Sequence, residues 1–143
     1  MGCGCGLVGL LIATRFNVPQ VSSVPKVPFF LALVDSHSRA VEAARENAAK
    51  FGVEAEVILS DNGTPARLDG TFDVFVGNPP YYSDYRIAEV FLETAKRALK
   101  PGGVCYQVVK NAANLEPVQK KFFPEVEVIR RRNYAILKSI KQG

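Results

Sequence analysis

Asn78-Pro79-Pro80-Tyr81 is the run in this chain whose residue types and order best suit chemistry. The Asn78 side-chain carbonyl and the Pro79 backbone carbonyl can each accept one N–H. Together they can hold an NH2 group at about 3 Å. An exocyclic amine on a base, or an amide, is a poor nucleophile because its lone pair is delocalised. Binding both protons orients the nitrogen toward a methyl donor and favours a more tetrahedral geometry. Pro79 restricts Asn78, and two prolines in succession stiffen the loop, so the acceptors are preorganised. Tyr81 adds a flat face on which a planar ring can stack. No base of shifted pKa is required, which suits a chain with a single histidine. The bland alternative is a proline turn leaving a strand.

A second constellation lies at the start of the chain. Gly2, Gly4 and Gly6 allow positive φ and close approach of backbone to a ligand, and the helix expected after them directs N–H groups at it. Alone, the pattern fits a plain tight turn equally well. Asp35, at the carboxyl end of the next expected strand, is placed to accept from both hydroxyls of a ribose. Asp61, at the end of the following strand-like run, can accept from an adenine amino group, or can simply form the turn before Asn62-Gly63. His37 reads as a residue of a helical first turn or of the ribose edge rather than as a catalyst. Tyr82 and Tyr85 either line a base pocket or cover the helix that follows.

The elements that would position these residues alternate short apolar runs with amphipathic helices, the rhythm of a doubly wound α/β sheet. Helices are expected over Leu7 to Arg15, Ser36 to Phe51, Asp84 to Leu99 and 114–123. The apolar run Phe29 to Val34, ending in Asp35, reads as a parallel strand buried on both faces. Val53 to Leu59, Phe72 to Val76 and Val104 to Val109 read as further strands. Residues 17–28, with Pro19, Pro25 and Pro28, read as a loop. Lys100-Pro101-Gly102-Gly103 is expected to close the third helix. Val126 to Arg130 and Tyr134 to Ile140 read as a terminal antiparallel hairpin. A glycine loop of this kind normally follows a strand, and Met1 leaves no residues for one. The first, central strand is therefore expected to be missing or truncated.

The chain has 143 residues and a net charge of +4, with 48% hydrophobic and 22% charged residues. This fits one globular domain, 1–143, N-terminally short. Its longest apolar stretch is far too short to span a bilayer, so a soluble, cytoplasmic protein with no membrane partner is expected. Cys3, Cys5, Cys105 and His37 make a poor zinc set, and no metal is expected. Charge is uneven. Residues 1–95 carry 7 basic and 11 acidic side chains, whereas 96–143 carry 11 basic and 3 acidic. A basic C-terminal third suits a polyanionic partner or a merely solvated surface. Arg130, Arg131 and Arg132 are the candidates for gripping nucleic-acid phosphates.

Taken together, Gly2 to Gly6, Leu33-Val34-Asp35, the helix from Arg39 to Asn47, Asn78 to Tyr81 and Leu99 to Gly103 resemble class I methyltransferases. More narrowly, the chain resembles the methyltransferase small domain of small-subunit ribosomal RNA guanine-N2 methyltransferases, over essentially its whole length, including Asn133 to Lys138. The resemblance implies a Rossmann-like, mostly parallel sheet. It implies S-adenosyl-L-methionine as cofactor, held by Gly2, Gly4, Gly6, Asp35 and Asp61, with Asn78 at its edge. It implies Asn78, Pro79, Pro80 and Tyr81 as the amine site, with a guanine in rRNA as substrate and RNA as partner. Tyr after the two prolines is also typical of relatives that modify adenine or glutamine, so those substrates stay open, as does an RNA-binding remnant without catalysis. Oligomeric state is left unassigned.

Overall fold

The computed structural model describes residues 1–17, 29–80 and 85–143. The proline-bearing residues 18–28, and Tyr81 and Tyr82, lie outside the described residues. The chain divides into two compact units, Gly2–Asp61 and Met1 with Asn62–Gly143.

The first unit is built from α1 (Leu7–Asn17), β1 (Ala32–Asp35), α2 (Ser38–Phe51) and β2 (Glu56–Leu59). β1 and β2 run parallel, with Ala32 opposite Glu56 and Asp35 opposite Leu59. α2 forms because alanines recur at helical spacing, and it buries Val41, Ala44 and Ala48. Gly52 ends it in the left-handed region at φ 62, where only glycine sits without strain. The N–H of Val53 then returns to the Ala48 carbonyl at 3.0 Å, which ties Val53 to the helix end and delays β2 to Glu56. Leu10, Ala13, Leu33 and Val53 complete this core. α1 approaches β1 closely at Gly9, where an added Cβ would lie 2.6 Å from Leu33 Cδ2. Its other face, Leu7, Val8, Leu11 and Ile12, is exposed.

The second unit contains β3 (Phe72–Gly77), α3 (Arg86–Ala98), β4 (Leu99–Val109), α4 (Ala112–Lys120), β5 (Glu127–Arg131) and β6 (Tyr134–Ile140). Its sheet has the order β3-β4-β6-β5. β3 and β4 are parallel, while β6 is antiparallel to both β4 and β5. The expected closing hairpin is present. α3 ends at Ala98, just ahead of Lys100 to Gly103 as expected, but β4 starts at once instead of at Val104. Gly102, at φ 80, lets β4 bulge and continue from Leu99, and its N–H reaches the Lys141 carbonyl at 2.8 Å. Phe75, Leu92, Leu99, Cys105, Phe123 and Leu137 form the core, each buried side chain contributing about 1.5–3 kcal/mol by leaving water. α4 starts two residues earlier than its apolar spacing suggests, because the Asn111 side chain accepts the Ala113 N–H at 3.1 Å and caps it. No helix among the described residues is long and apolar enough to cross a membrane.

Candidate functional site

In the first unit the glycine loop takes the conformation its residues permit. Gly2, Gly4 and Gly6 have φ of 64, 54 and 82. Gly6 has no room for a side chain, since a Cβ would sit 3.0 Å from Leu33 Cδ1, whereas Gly4 opens on free space. Asp35 holds the loop. Its Oδ2 accepts the Gly4 N–H at 2.9 Å and its Oδ1 accepts the His37 N–H at 3.0 Å. One carboxylate thus ties the loop to the start of α2, and each oxygen keeps a further lone pair for a hydroxyl. The Cys3 N–H reaches the Val34 carbonyl at 3.0 Å and Asn47 Nδ2 reaches the Cys5 carbonyl at 3.0 Å, fixing both ends of the turn. Asp61 follows Ser60, whose N–H donates to the Asp35 carbonyl at 2.9 Å, and is exposed. Burial pushes the Cys3 thiol up to about 11, with the Asp35 charge adding to the effect.

In the second unit β3 delivers Asn78, Pro79 and Pro80 directly past Gly77. Asn78 is exposed and Pro79 buried. Gly77 lies against the Gln107 side chain and Phe91, so a Cβ there would collide with the Gln107 amide oxygen. Gln107 is fully buried, and that oxygen has no hydrogen-bond partner among the described residues. Beside the loop is a cavity of about 250 Å³. Pro79, Pro80, Ala88, Val109 and Leu115 supply apolar walls, and Tyr85, Lys110, Asn111 and Asn114 the polar groups. Tyr85 stands at the N-terminus of α3 with φ 64, a left-handed backbone that is costly for an aromatic residue. Tyr85 both lines this cavity and packs against the core that α3 helps to form. Tyr81 and Tyr82 lie outside the described residues.

Lys110, Asn111 and Asn114 were not singled out by the sequence. Their signal was a capping asparagine ahead of Ala112-Ala113, which puts Asn111 and Asn114 three residues apart on one helical turn. The cations of the C-terminal third are sorted by partner. Arg97, Lys100, Lys120, Lys121 and Lys138 pair with carboxylates. Arg130, Arg131 and Arg132, at the β5–β6 hairpin, are exposed and make no ion pair among the described residues.

A family model described as methyltransferase small domain matches residues 1–138. The ribosomal RNA small subunit methyltransferase C of Pasteurella multocida is 33% identical over 116 residues, covering 78% of this chain and 31% of the relative. Its namesake from Haemophilus influenzae is 27% identical over 146 residues, covering 99% of this chain and 40% of the relative. The chain thus spans well under half the length of these relatives. Among solved structures, the T. thermophilus 16S rRNA N2 methyltransferase in complex with AdoMet and guanosine aligns with TM-score 0.79 at 21% identity, covering 99% of this chain and 36% of that one. A methyltransferase from Pyrococcus furiosus aligns with TM-score 0.75 at 23% identity, covering 99% and 73%. These likenesses establish the fold: a Rossmann-like α/β arrangement with parallel strands and an antiparallel close.

Proposed function

Because the chain belongs to the methyltransferase small domain family, we propose that it transfers a methyl group from S-adenosyl-L-methionine to an exocyclic amine of a base in RNA, the 2-amino group of a guanine in small-subunit rRNA. The observation that carries the amine site is the Asn78-Pro79-Pro80 loop at the end of β3, with a mostly apolar cavity beside it. Asn78 Oδ1 and the Pro79 carbonyl accept the two N–H bonds of the amine, keep its lone pair on nitrogen and hold the proton that must pass to water. Pro79 and Pro80 keep those acceptors rigid, so little reorganisation is needed at the moment of reaction. Tyr81 stacks on the ring.

The first unit fits the cofactor. Positive-φ glycines open toward free space at Gly4, and the carboxylate of Asp35 stands against that loop with acceptor capacity to spare. Gly2, Gly4 and Gly6 give backbone approach, Asp35 accepts from the ribose hydroxyls and Asp61 from the adenine amine. When bound, the cofactor supplies a methyl carbon on positively charged sulfur. Arg130, Arg131 and Arg132 hold RNA phosphates.

The test offers tritiated S-adenosyl-L-methionine with RNA and with protein separately. Label enters RNA, and Asn78→Ala lowers turnover by about 10²–10³ while calorimetric affinity for the cofactor is unchanged. Label confined to protein, or full activity in Asn78→Ala, overturns the reading.

A further inference from the structure

The cavity beside Pro79 and Pro80 has a volume of about 250 Å³. That is below the roughly 300 Å³ at which pockets for drug-sized ligands begin, and it suits one flat ring system rather than a whole nucleotide. Its composition divides in the same sense. Apolar residues supply most of its wall, and three of its four polar residues, Lys110, Asn111 and Asn114, cluster where β4 passes into α4. Asn111 is oriented by its own cap. With Oδ1 accepting the Ala113 N–H at 3.1 Å, its Nδ2 is left as a donor for a ligand. Asn114 lies one turn on and carries both a donor and an acceptor. Lys110 carries donors alone.

Purines that share an exocyclic amine differ in the atoms next to it. Guanine presents a ring N1–H donor and then an O6 acceptor along the edge that bears its 2-amino group. Adenine presents acceptors only beside its amine. An amide that both accepts and donates matches the guanine edge as a bidentate pair, and a neighbouring donor reinforces the contact to O6. Resting on the methyl-transfer reading above, we propose that Asn114 and Asn111, assisted by Lys110, are specificity-determining residues that read the N1–H and O6 of guanine. The proline loop recognises an NH2 group, and the start of α4 decides which ring carries it.

The test uses guanosine and the riboside of 2-aminopurine, which keeps the amine at C2 but lacks O6 and has an acceptor at N1. Binding to the full chain is read from 2-aminopurine fluorescence and its displacement by guanosine. Guanosine is expected to bind roughly tenfold to a hundredfold more tightly. Asn114→Ala brings the two affinities together, and Asn111→Ser, which keeps a capping oxygen, narrows the ratio. Cofactor affinity stays constant in both. Equal affinities in the unaltered protein, an unchanged ratio in both variants, or binding of neither nucleoside overturns the proposal. Because binding alone is read, its failure is distinct from a failure of methyl transfer, which the labelling experiment reports.

Discussion

Asp35 is held at the end of β1 by two backbone N–H groups, one from the glycine loop and one from the start of α2. A carboxylate used in this way fixes the loop that the proposed cofactor site needs. Asp35→Asn turns one acceptor into a donor facing an N–H, and at this half-buried position the mismatch should cost about 1 kcal/mol. The expected result is a lower midpoint in urea together with at least about tenfold weaker cofactor binding by calorimetry. Cys105 gives the second prediction at this scale. Burial pushes its thiol from 9.0 up to about 12. The unfolded chain ionises that thiol near 9, so the stability carried by the neutral form is intact below that pH. It is lost progressively as pH rises from there to the folded value. Urea unfolding at about pH 8 and about pH 10.5 should differ by on the order of 2 kcal/mol from this group. Cys105→Ala should remove that share of the difference.

Between residue and fold stands the junction of β3 with its loop. Gly77 pairs with Gln107 in the β3–β4 register, and the Gln107 side chain occupies the space a Cβ at 77 would need. Gly77→Ala is therefore expected to cost about 1–3 kcal/mol through overpacking, and a shorter side chain at 107 should restore part of it. A double-mutant cycle with Gln107→Ala measures that coupling. Periodicity revealed most of these elements. α2, α3, β3 and the closing hairpin lie within two residues of where the apolar spacing puts them, since that spacing reflects the face each element buries. Boundaries set by single hydrogen bonds were harder to see. Val53 is tied to the end of α2, Asn111 starts α4 early, and Gly102 lets β4 begin at Leu99 rather than Val104. The glycine loop and Asn78-Pro79-Pro80 were legible because their residue types are unusual. The cavity was not, because its walls come from three segments that only folding brings together.

At the scale of the whole molecule, charge and apolar surface are distributed differently. Five cations of the C-terminal third are matched to carboxylates, which leaves the hairpin arginines as its exposed positive cluster. Replacing Arg130, Arg131 and Arg132 by Gln should weaken RNA binding. It should also flatten the slope of log affinity against log salt by about 2, since each phosphate that is no longer neutralised removes about 0.7–0.9. An unchanged slope removes the hairpin from the RNA interface. α1 behaves in the opposite sense. Leu7, Val8 and Leu11 are each more than half exposed, and Phe51 presents 53% of its surface. Sulfate strengthens association between such groups because it is excluded from protein surface. If the arginines hold RNA as proposed, the same added salt that weakens that contact should favour association of copies of the chain through the exposed face of α1. Salting-out should begin at low sulfate, with turbidity as its sign, and Leu11→Lys should postpone it.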